Sequence, residues 1–536
     1  MGEIKLLDCT LRDGGYVNDW KFGHNNIVSI FERLVDSNVD YIEVGFLDDR
    51  RPFDMDRSIM PDTESVKKIY GKLDRKQACV VGMIDYGTCT LDNIQDCKDS
   101  YLDAIRVIFK KHLRKEALEY CGKLKEKGYK VFAQLVSVTS YSDEEMLDLV
   151  RLANEVNPYA VSMVDTYGLM HQNNLKHFFE LLDKNLNPQI GLGYHAHNNF
   201  QMGYANCITM MSQVTDRMLL VDGTIYGMGK SAGNAPIELI AMYMNDNLGK
   251  NYNISQFLEA IDSNIMDFYS PATWGYNMFF YLAASNDCHP NYVSYLMDKK
   301  TLSVKSINEI LGKLEGEKKL LYDQKYIEEL YRNYQMIDID DKKDCQRLKE
   351  QIASQSILLL GPGKSIAKEK DKIEQYIKEK NPVIISVNFL DTEYPIDYLF
   401  LSNAKRYVQL ATTLSQENNK TEIIATSNVT KTSGTFDYVL KYSTLIDKDA
   451  EVIDNSFVML LNALQRFGVK NVVAAGFDGY IFSEQGNYIR PYMEYDFDSK
   501  KFERLNKYVI EKIEQLKEKM EVYFLTKSFY SEEVLG

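Results

Sequence analysis

Over roughly the first 225 residues, short runs of β-branched and apolar residues alternate with longer stretches whose apolar positions recur at helical spacing. A spacing of two predicts strands and one near 3.6 predicts helices, so the pattern reads as repeated strand–helix units around a parallel sheet. The strand runs fall at 4–7, 41–44, 78–83, 104–108, 130–135, 160–163, 190–194 and 218–221. Eight such units in about 240 residues are the size of a (β/α)8 TIM barrel, whose chemistry sits at the carboxyl ends of its strands. An open doubly wound sheet is the rival, but it needs polar residues only at the strands flanking its switch point. Here Asp8, Glu43, Asp85, Gln134, Asp165, His195 and Asp222 stand at or near the ends of almost every run, which favours the barrel.

The barrel is expected over 1–253. Residues 254–336 become helical and aromatic through FYSPATWGYNMFFYL and then densely charged, which predicts a helical extension. The charge-rich run IDIDDKKDCQRLK at 337–349 predicts a linker. From 350 to 536 the runs SILLLG, PVIISVN, DYLFLS, TEIIATS, DYVLKY and NVVAAGFDG restore strand–helix alternation and predict a second α/β domain with a Rossmann-like sheet.

Composition narrows the function more than the fold. With 536 residues, 45% hydrophobic and 26% charged, the chain is in the globular range and long enough for two or three domains. A net charge of -14 argues against a nucleic-acid partner, which would need clustered cations to displace counterions. The start MGEIKLLDC lacks a basic segment leading into an apolar one, and no run approaches a membrane span, so a cytoplasmic location without membrane contact is expected. Eight scattered cysteines with no CxxC pair are expected to be reduced core thiols. The aromatic residues of 254–336 are compatible with a homo-oligomer.

Three constellations carry chemistry. LDCTLRDGG at 7–15 follows the first strand and offers a hard carboxylate, Asp13, beside a permanent cation, Arg12, with Gly14 and Gly15 allowing a tight turn. YHAHNN at 194–199 closes the seventh strand, where residues two apart share a face, so His195 and His197 can present two imidazoles to one ion. Two of the chain's seven histidines fall in this window. GMGKSAGNAP at 227–236 follows the eighth strand and can bring backbone amides to an anionic group. Together, Asp13, His195 and His197 can converge across a barrel mouth on one divalent cation, leaving coordination positions open for a further ligand. Mn2+ or Mg2+ suits this set, with Co2+ and Zn2+ as alternatives. Glu43 reads either as an orienting partner or as a satisfied strand-end carboxylate, and Asn234 either as a neighbour of the metal or as a helix cap.

These marks, an RDG loop, an HxH strand and a GN loop, resemble those of the metal-dependent pyruvate aldolases and HMG-CoA lyase-like (DRE-TIM) barrels. The similarity to the 4-hydroxy-2-oxovalerate aldolase branch covers about residues 1–285 and is nearly continuous through HAHNNFQMGYANCITMM and VDGTIYGMGKSAGNAPIEL. It implies a carbon–carbon lyase acting on a small 2-oxo acid and an aldehyde through a pyruvate enolate. Asp13, His195 and His197 would be metal ligands, and Arg12 would stabilise the enolate. Thr166, in DTYG, and His195 would contact substrate, and Tyr276, in WGY, would be a substrate-facing tyrosine. Where the family carries a catalytic histidine four residues after the arginine, this chain has Tyr16, which leaves His24 or a metal-bound water as substitutes for the base. Condensing synthases of the group carry Glu-Gln after RDG, where this chain has Gly15 and Tyr16, so an acyl-CoA-dependent synthase or lyase is less similar and stands as the second reading. A metal-containing binding module without turnover is the third. In the last domain LLLGPGKSI offers a phosphate or nucleotide loop, through Gly361, Gly363, Lys364 and Ser365, or an ordinary helix start. The loop faintly resembles those of nucleotide-sugar-binding α/β domains, and Asp478 in GFDG is the first polar residue to consider beside it.

Overall fold

The computed structural model describes residues 2–531 except 270–272, 320, 392, 415–419, 430–434, 448–451, 453, 482–485 and 495–498. Part of the aromatic run, 270–272, thus lies outside the described residues. The chain forms two compact units, Met1–Pro290 and Asn291–Gly536, so the helical stretch 254–336 is shared between them.

In the first unit eight parallel strands close a TIM barrel. They are β1 (Ile4–Asp8), β2 (Tyr41–Leu47), β3 (Cys79–Asp85), β4 (Ala104–Phe109), β5 (Lys130–Leu135), β6 (Ala160–Asp165), β7 (Gly191–Ala196) and β8 (Leu219–Gly223). Pairing runs in order around the barrel and closes between β1 and β2, with Leu7 opposite Tyr41. Amphipathic helices follow most strands; α1 (His24–Asp36), for example, buries Ile27, Ile30, Phe31 and Leu34 at helical spacing. Between β3 and β4 only short 3-10 turns are present. A two-residue strand, Ile59–Met60, adds to the edge of β2.

The pleat positions the chemistry. Inside the barrel Leu7, Tyr41, Ala104, Phe132, Ala160 and Leu220 form an apolar layer. Two residues further along five of these strands, and hence on the same face, stand Glu43, Arg106, Gln134, Ser162 and Asp222, all buried. One turn of the pleat converts an oily floor into a polar one directly beneath the mouth.

In the second unit seven parallel strands form one sheet. They are β9 (Ile357–Leu360), β10 (Val383–Val387), β11 (Tyr398–Leu401), β12 (Glu422–Thr426), β13 (Tyr438–Leu440), β14 (Asn471–Ala475) and β15 (Glu521–Phe524). Their order, β13-β12-β11-β10-β9-β14-β15, reverses between β9 and β14. Strand β15 escapes the sequence pattern because it is a short edge strand whose Glu521 and Tyr523 are exposed. The expected linker 337–349 is also different: Lys342–Ile352 is a helix whose charges face out while Leu348 and Ile352, four residues apart, enter the core.

The GPGKS loop is not an open cradle. The Gly361 amide donates to Ala475 O and the Gly363 amide to Gly476 O, both at 2.8 Å. A Cβ on Gly363 would lie 2.5 Å from the Asp478 carboxyl group, so the glycines let two loops touch. The Ser365 amide donates to Asp478 Oδ2 at 2.8 Å and its hydroxyl to Asp478 Oδ1, so a carboxylate of the chain itself already occupies the place expected for phosphate.

Candidate active site

The RDG segment leaves β1 as one helical turn, Thr10–Asp13, followed by a 3-10 turn, Gly14–Tyr16. Both glycines are needed for space and not for the expected tight turn: a Cβ on Gly15 would stand 2.0 Å from the indole of Trp20. Asp8 fixes the start of the turn by accepting from the Thr10 amide at 2.9 Å and its hydroxyl at 2.7 Å. The Thr10 hydroxyl in turn accepts from the Ile225 amide at 2.8 Å, tying the loop after β1 to the loop after β8.

This brings Asp13 to the HxH strand. His195 Nε2 lies 3.4 Å from Asp13 Oδ2, and His197 Nε2 lies 3.6 Å from Asp13 Oδ1. The ligand atoms of the three residues all fall within 4.8 Å of one another. Each imidazole is oriented through its other nitrogen: His195 Nδ1 meets Asp222 Oδ2 at 3.0 Å, and His197 Nδ1 meets Asp165 O at 3.1 Å. Both Nε2 atoms are buried without a hydrogen-bond partner, as is Asn234 Oδ1. Two orphaned imidazole nitrogens and the Asp13 carboxylate, gathered within ligand distance of one another, fit a divalent cation, because burial without a partner is otherwise costly.

Cys9, His195 and Asp222 form a second cluster within ligand distance of one another. Its groups already have protein partners. Burial pushes the Cys9 thiol well up, Cys9 Sγ bonds to Gly223 O, and Asp222 is taken by Arg106.

Arg12 is buried, donating from Nε to Glu43 Oε2 at 2.7 Å and from a terminal nitrogen to Asp13. Glu43 also lies 3.4 Å from Arg106, which reaches Gln134 at 2.8 Å and Asp222. Asp13, Arg12, Glu43, Arg106, Asp222 and His195 therefore close a buried ring in which each group touches the next. Burial alone would raise the Asp13 carboxyl, but Arg12 and the two imidazoles outweigh it and hold it well below the usual carboxylate range. Asp222 is likewise lowered, since Arg106 and His195 overcome the burial that would raise it.

Asn234 donates to Asp13 Oδ1 at 2.9 Å, and the following helix, α7 (Ile237–Leu248), has no side-chain cap, so the capping role is ruled out. His197 and Asn234 also pair through their backbones. The glycine-rich loop spends its Lys230 amide on Asp13 Oδ1 at 3.0 Å. A Cβ on Gly229 would fall 2.1 Å from Asn234 Nδ2 and 2.7 Å from Asp13 Oδ1. Gly229→Ala should displace both, lowering Mn2+ affinity about 10- to 100-fold with little change in melting temperature; calorimetric titration with Mn2+ checks this, and wild-type affinity would refute it.

Thr166 Oγ1 accepts from the Ser137 amide at 2.8 Å, leaving its own hydroxyl proton to donate. Tyr16 is 44% exposed and packs edge-on against Trp20 and Phe46. Desolvation of the side packed on Trp20 and Phe46, and then the charge of Asp13, push its phenol up to about 12, the wrong direction for a base. Tyr276 is 61% exposed, and none of the contacts at the strand ends includes it. Sequence reasoning missed Arg106, Lys230 and His289. Lys230 Nζ sits 5.4 Å from the centroid of the Tyr16 ring, and its charge, together with burial, lowers the pKa of His289. Scarcity of histidine was the available signal for His289; Arg106 was hidden inside an apolar strand.

Residues 3–263 match the HMGL-like family model. The 4-hydroxy-2-oxovalerate aldolase of Marinomonas sp. (strain MWYL1) is 24% identical over 250 residues, 45% of this chain and 71% of that protein. Its namesake in Pseudoalteromonas translucida (strain TAC 125) is 23% identical over 257 residues, 48% of this chain and 73% of that protein. Among solved structures, the N-terminal domain of a putative aldolase from Bacteroides vulgatus aligns over 57% of this chain and 99% of its own, with a TM-score of 0.48 and 24% identity. Over residues 3–263 the barrel is thus similar to the HMGL-like family, whose members are carbon–carbon lyases, and to proteins named as aldolases.

Proposed function

We propose that the barrel is a divalent-metal-dependent aldolase that forms or cleaves a 4-hydroxy-2-oxo acid through a pyruvate enolate. The observation that carries this reading is the convergence of two imidazole nitrogens without hydrogen-bond partners and the Asp13 carboxylate beside a buried arginine. A divalent cation held by Asp13, His195 and His197, with Asn234 alongside, supplies Lewis acidity to the 2-oxo acid when bound. Arg12, locked by Glu43, presents a fixed cation where the enolate oxygen gains charge. The Thr166 hydroxyl donates to the substrate carboxylate, and Lys230 adds a second cation at the mouth.

For cleavage, a base takes the proton of the 4-hydroxyl, the C3–C4 bond breaks to release an aldehyde, and its electrons rest as the enolate. Protonation at C3 then gives pyruvate. We assign the base to His289, which lies near enough to Lys230, the neighbour of Asp13, to feel its charge, and which burial and that charge favour in the neutral form. Tyr16 serves as a wall and a hydrogen-bond donor. The rate should therefore fall on acidification only below the usual histidine range near 6.5, since the pKa of His289 is lowered. His289→Ala should lose that acid limb together with about 100-fold in kcat; an unchanged pH profile would move the base elsewhere.

The deciding experiment is pyruvate release from a series of 4-hydroxy-2-oxo acids with added Mn2+. Pyruvate formation supports the aldolase. Acetyl-CoA consumption with free thiol release would replace it by the acyl-CoA-dependent reading, and bound metal with neither reaction by the non-catalytic module.

A further inference from the structure

In open parallel sheets, ligands settle outside the carboxyl ends of the strands where the strand order reverses. In the second unit that place lies between β9 and β14, and a cavity of about 100 Å³ opens there, lined by Asn388, Arg406, Phe477, Asp478 and Tyr488. Asn455, Ser456 and Tyr480 also line a neighbouring cavity of about 250 Å³, whose walls include Lys299, Asp454, Lys501 and Arg504. Together the two reach the lower end of the roughly 300–1,000 Å³ typical of small-molecule sites.

The ends of this cleft differ in chemistry. The inner end offers aromatic faces and side-chain amides: Phe477 stacks on Phe457 at 3.9 Å, and Arg406 lies over the Tyr488 ring at 6.0 Å. Asn388, directly after β10, is held at φ +56°, a strained backbone of the kind that clusters at ligand clamps. It is pinned there by donating to Ser456 Oγ at 2.7 Å and accepting from the Ser402 amide at 3.2 Å.

The outer end gathers cations. Lys501 and Arg504 project from one helix, Ser499–Leu516, three residues apart. Lys501 is held below the ordinary ammonium value by burial and by Lys299, Lys300 and Arg504, although Asp298 opposes the shift. Lys299 is lowered too, by burial first and against the pull of Asp454, and Lys405 by burial, Arg406 and Lys300. Burial raises the Asp454 carboxyl, which weakens the opposing negative charge. In a chain of net charge -14, such crowding of cations around one cleft is what an anionic ligand would relieve. The GPGKS loop cannot take that anion while Asp478 fills it.

We propose that this cleft binds a nucleotide, with its planar base among Phe477, Tyr480 and Tyr488 at the switch point and its phosphate on Lys299, Lys501 and Arg504. Base–aromatic contact and charge-assisted phosphate bonds are the two terms that such walls can supply. The site is independent of the barrel chemistry.

The test is calorimetric titration of the full chain with the four common ribonucleoside mono- and diphosphates, with the free nucleosides and pyrophosphate as separate arms. At least one nucleotide is expected to bind at least tenfold more tightly than pyrophosphate and than its own nucleoside. The double variant Lys501→Ala/Arg504→Ala should weaken it at least tenfold with unchanged circular dichroism, whereas His197→Ala in the barrel should bind as wild type. No binding by any nucleotide at millimolar concentration, pyrophosphate binding as tightly as the best nucleotide, or a double variant that binds normally would each overturn the proposal.

Discussion

His197→Ala should abolish the divalent-cation site and lower pyruvate release by about 10³-fold, while the protein stays folded. Polarisation by a bound metal contributes several kcal/mol to stabilising a developing enolate, and each 1.4 kcal/mol is a factor of ten. The fold should survive because the His197 side chain is weakly tied: Nδ1 meets Asp165 O, and Nε2 has no hydrogen bond, only the 3.6 Å approach to Asp13. His195 is a poorer target, since removing it would also take away one of the two buried partners of the Asp222 carboxylate, leaving Arg106 alone. Metal content after dialysis, read with the coupled pyruvate assay, gives the answer. A variant that keeps both metal and rate would eliminate the proposed site.

Arg106→Leu is expected to destabilise the first unit by about 3–5 kcal/mol, the cost of breaking a buried ion pair from one side. Arg106 is fully buried and touches Glu43 and Asp222, so its loss leaves two carboxylates in the barrel interior facing each other across an apolar side chain. Urea denaturation followed by tryptophan fluorescence reads the loss, because Trp20 and Trp274 both lie in the first unit. The sign has a pH signature. Asp222 is depressed in the folded wild type, so the stability it contributes is present above its unfolded value and is lost as pH falls through the folded one. Without Arg106 its carboxyl rises, and the variant should recover part of its deficit as the pH is lowered toward the ordinary carboxylate range. A variant within 1 kcal/mol of wild type at pH 7 would mean the ring is not the support it resembles.

The barrel could be read from the sequence because its strands are buried on both faces and so appear as uninterrupted apolar runs between amphipathic helices. The metal triad was legible for a local reason: Asp13 follows a strand directly, and His195 and His197 differ by two, so a single rule of strand geometry aims both. Arg106 was not, since RVIF reads as an ordinary buried strand and the residue's meaning depends on Asp222, 116 positions away. The glycines of GPGKS misled for a related reason. Glycine marks a close approach without saying what approaches, and here it is the neighbouring loop. Helix Lys342–Ile352 was mistaken for a linker because its charges outnumber the two apolar residues that anchor it.

The ring of Asp13, Arg12, Glu43, Arg106, Asp222 and His195 joins residues encoded far apart into one unit of inheritance. A charge lost at any member strands its neighbour in a medium without water, so a single replacement costs more than it looks in isolation. Two partners changed together should therefore cost less stability than the sum of their single replacements, a coupling that the separated side chains at the mouth would not show.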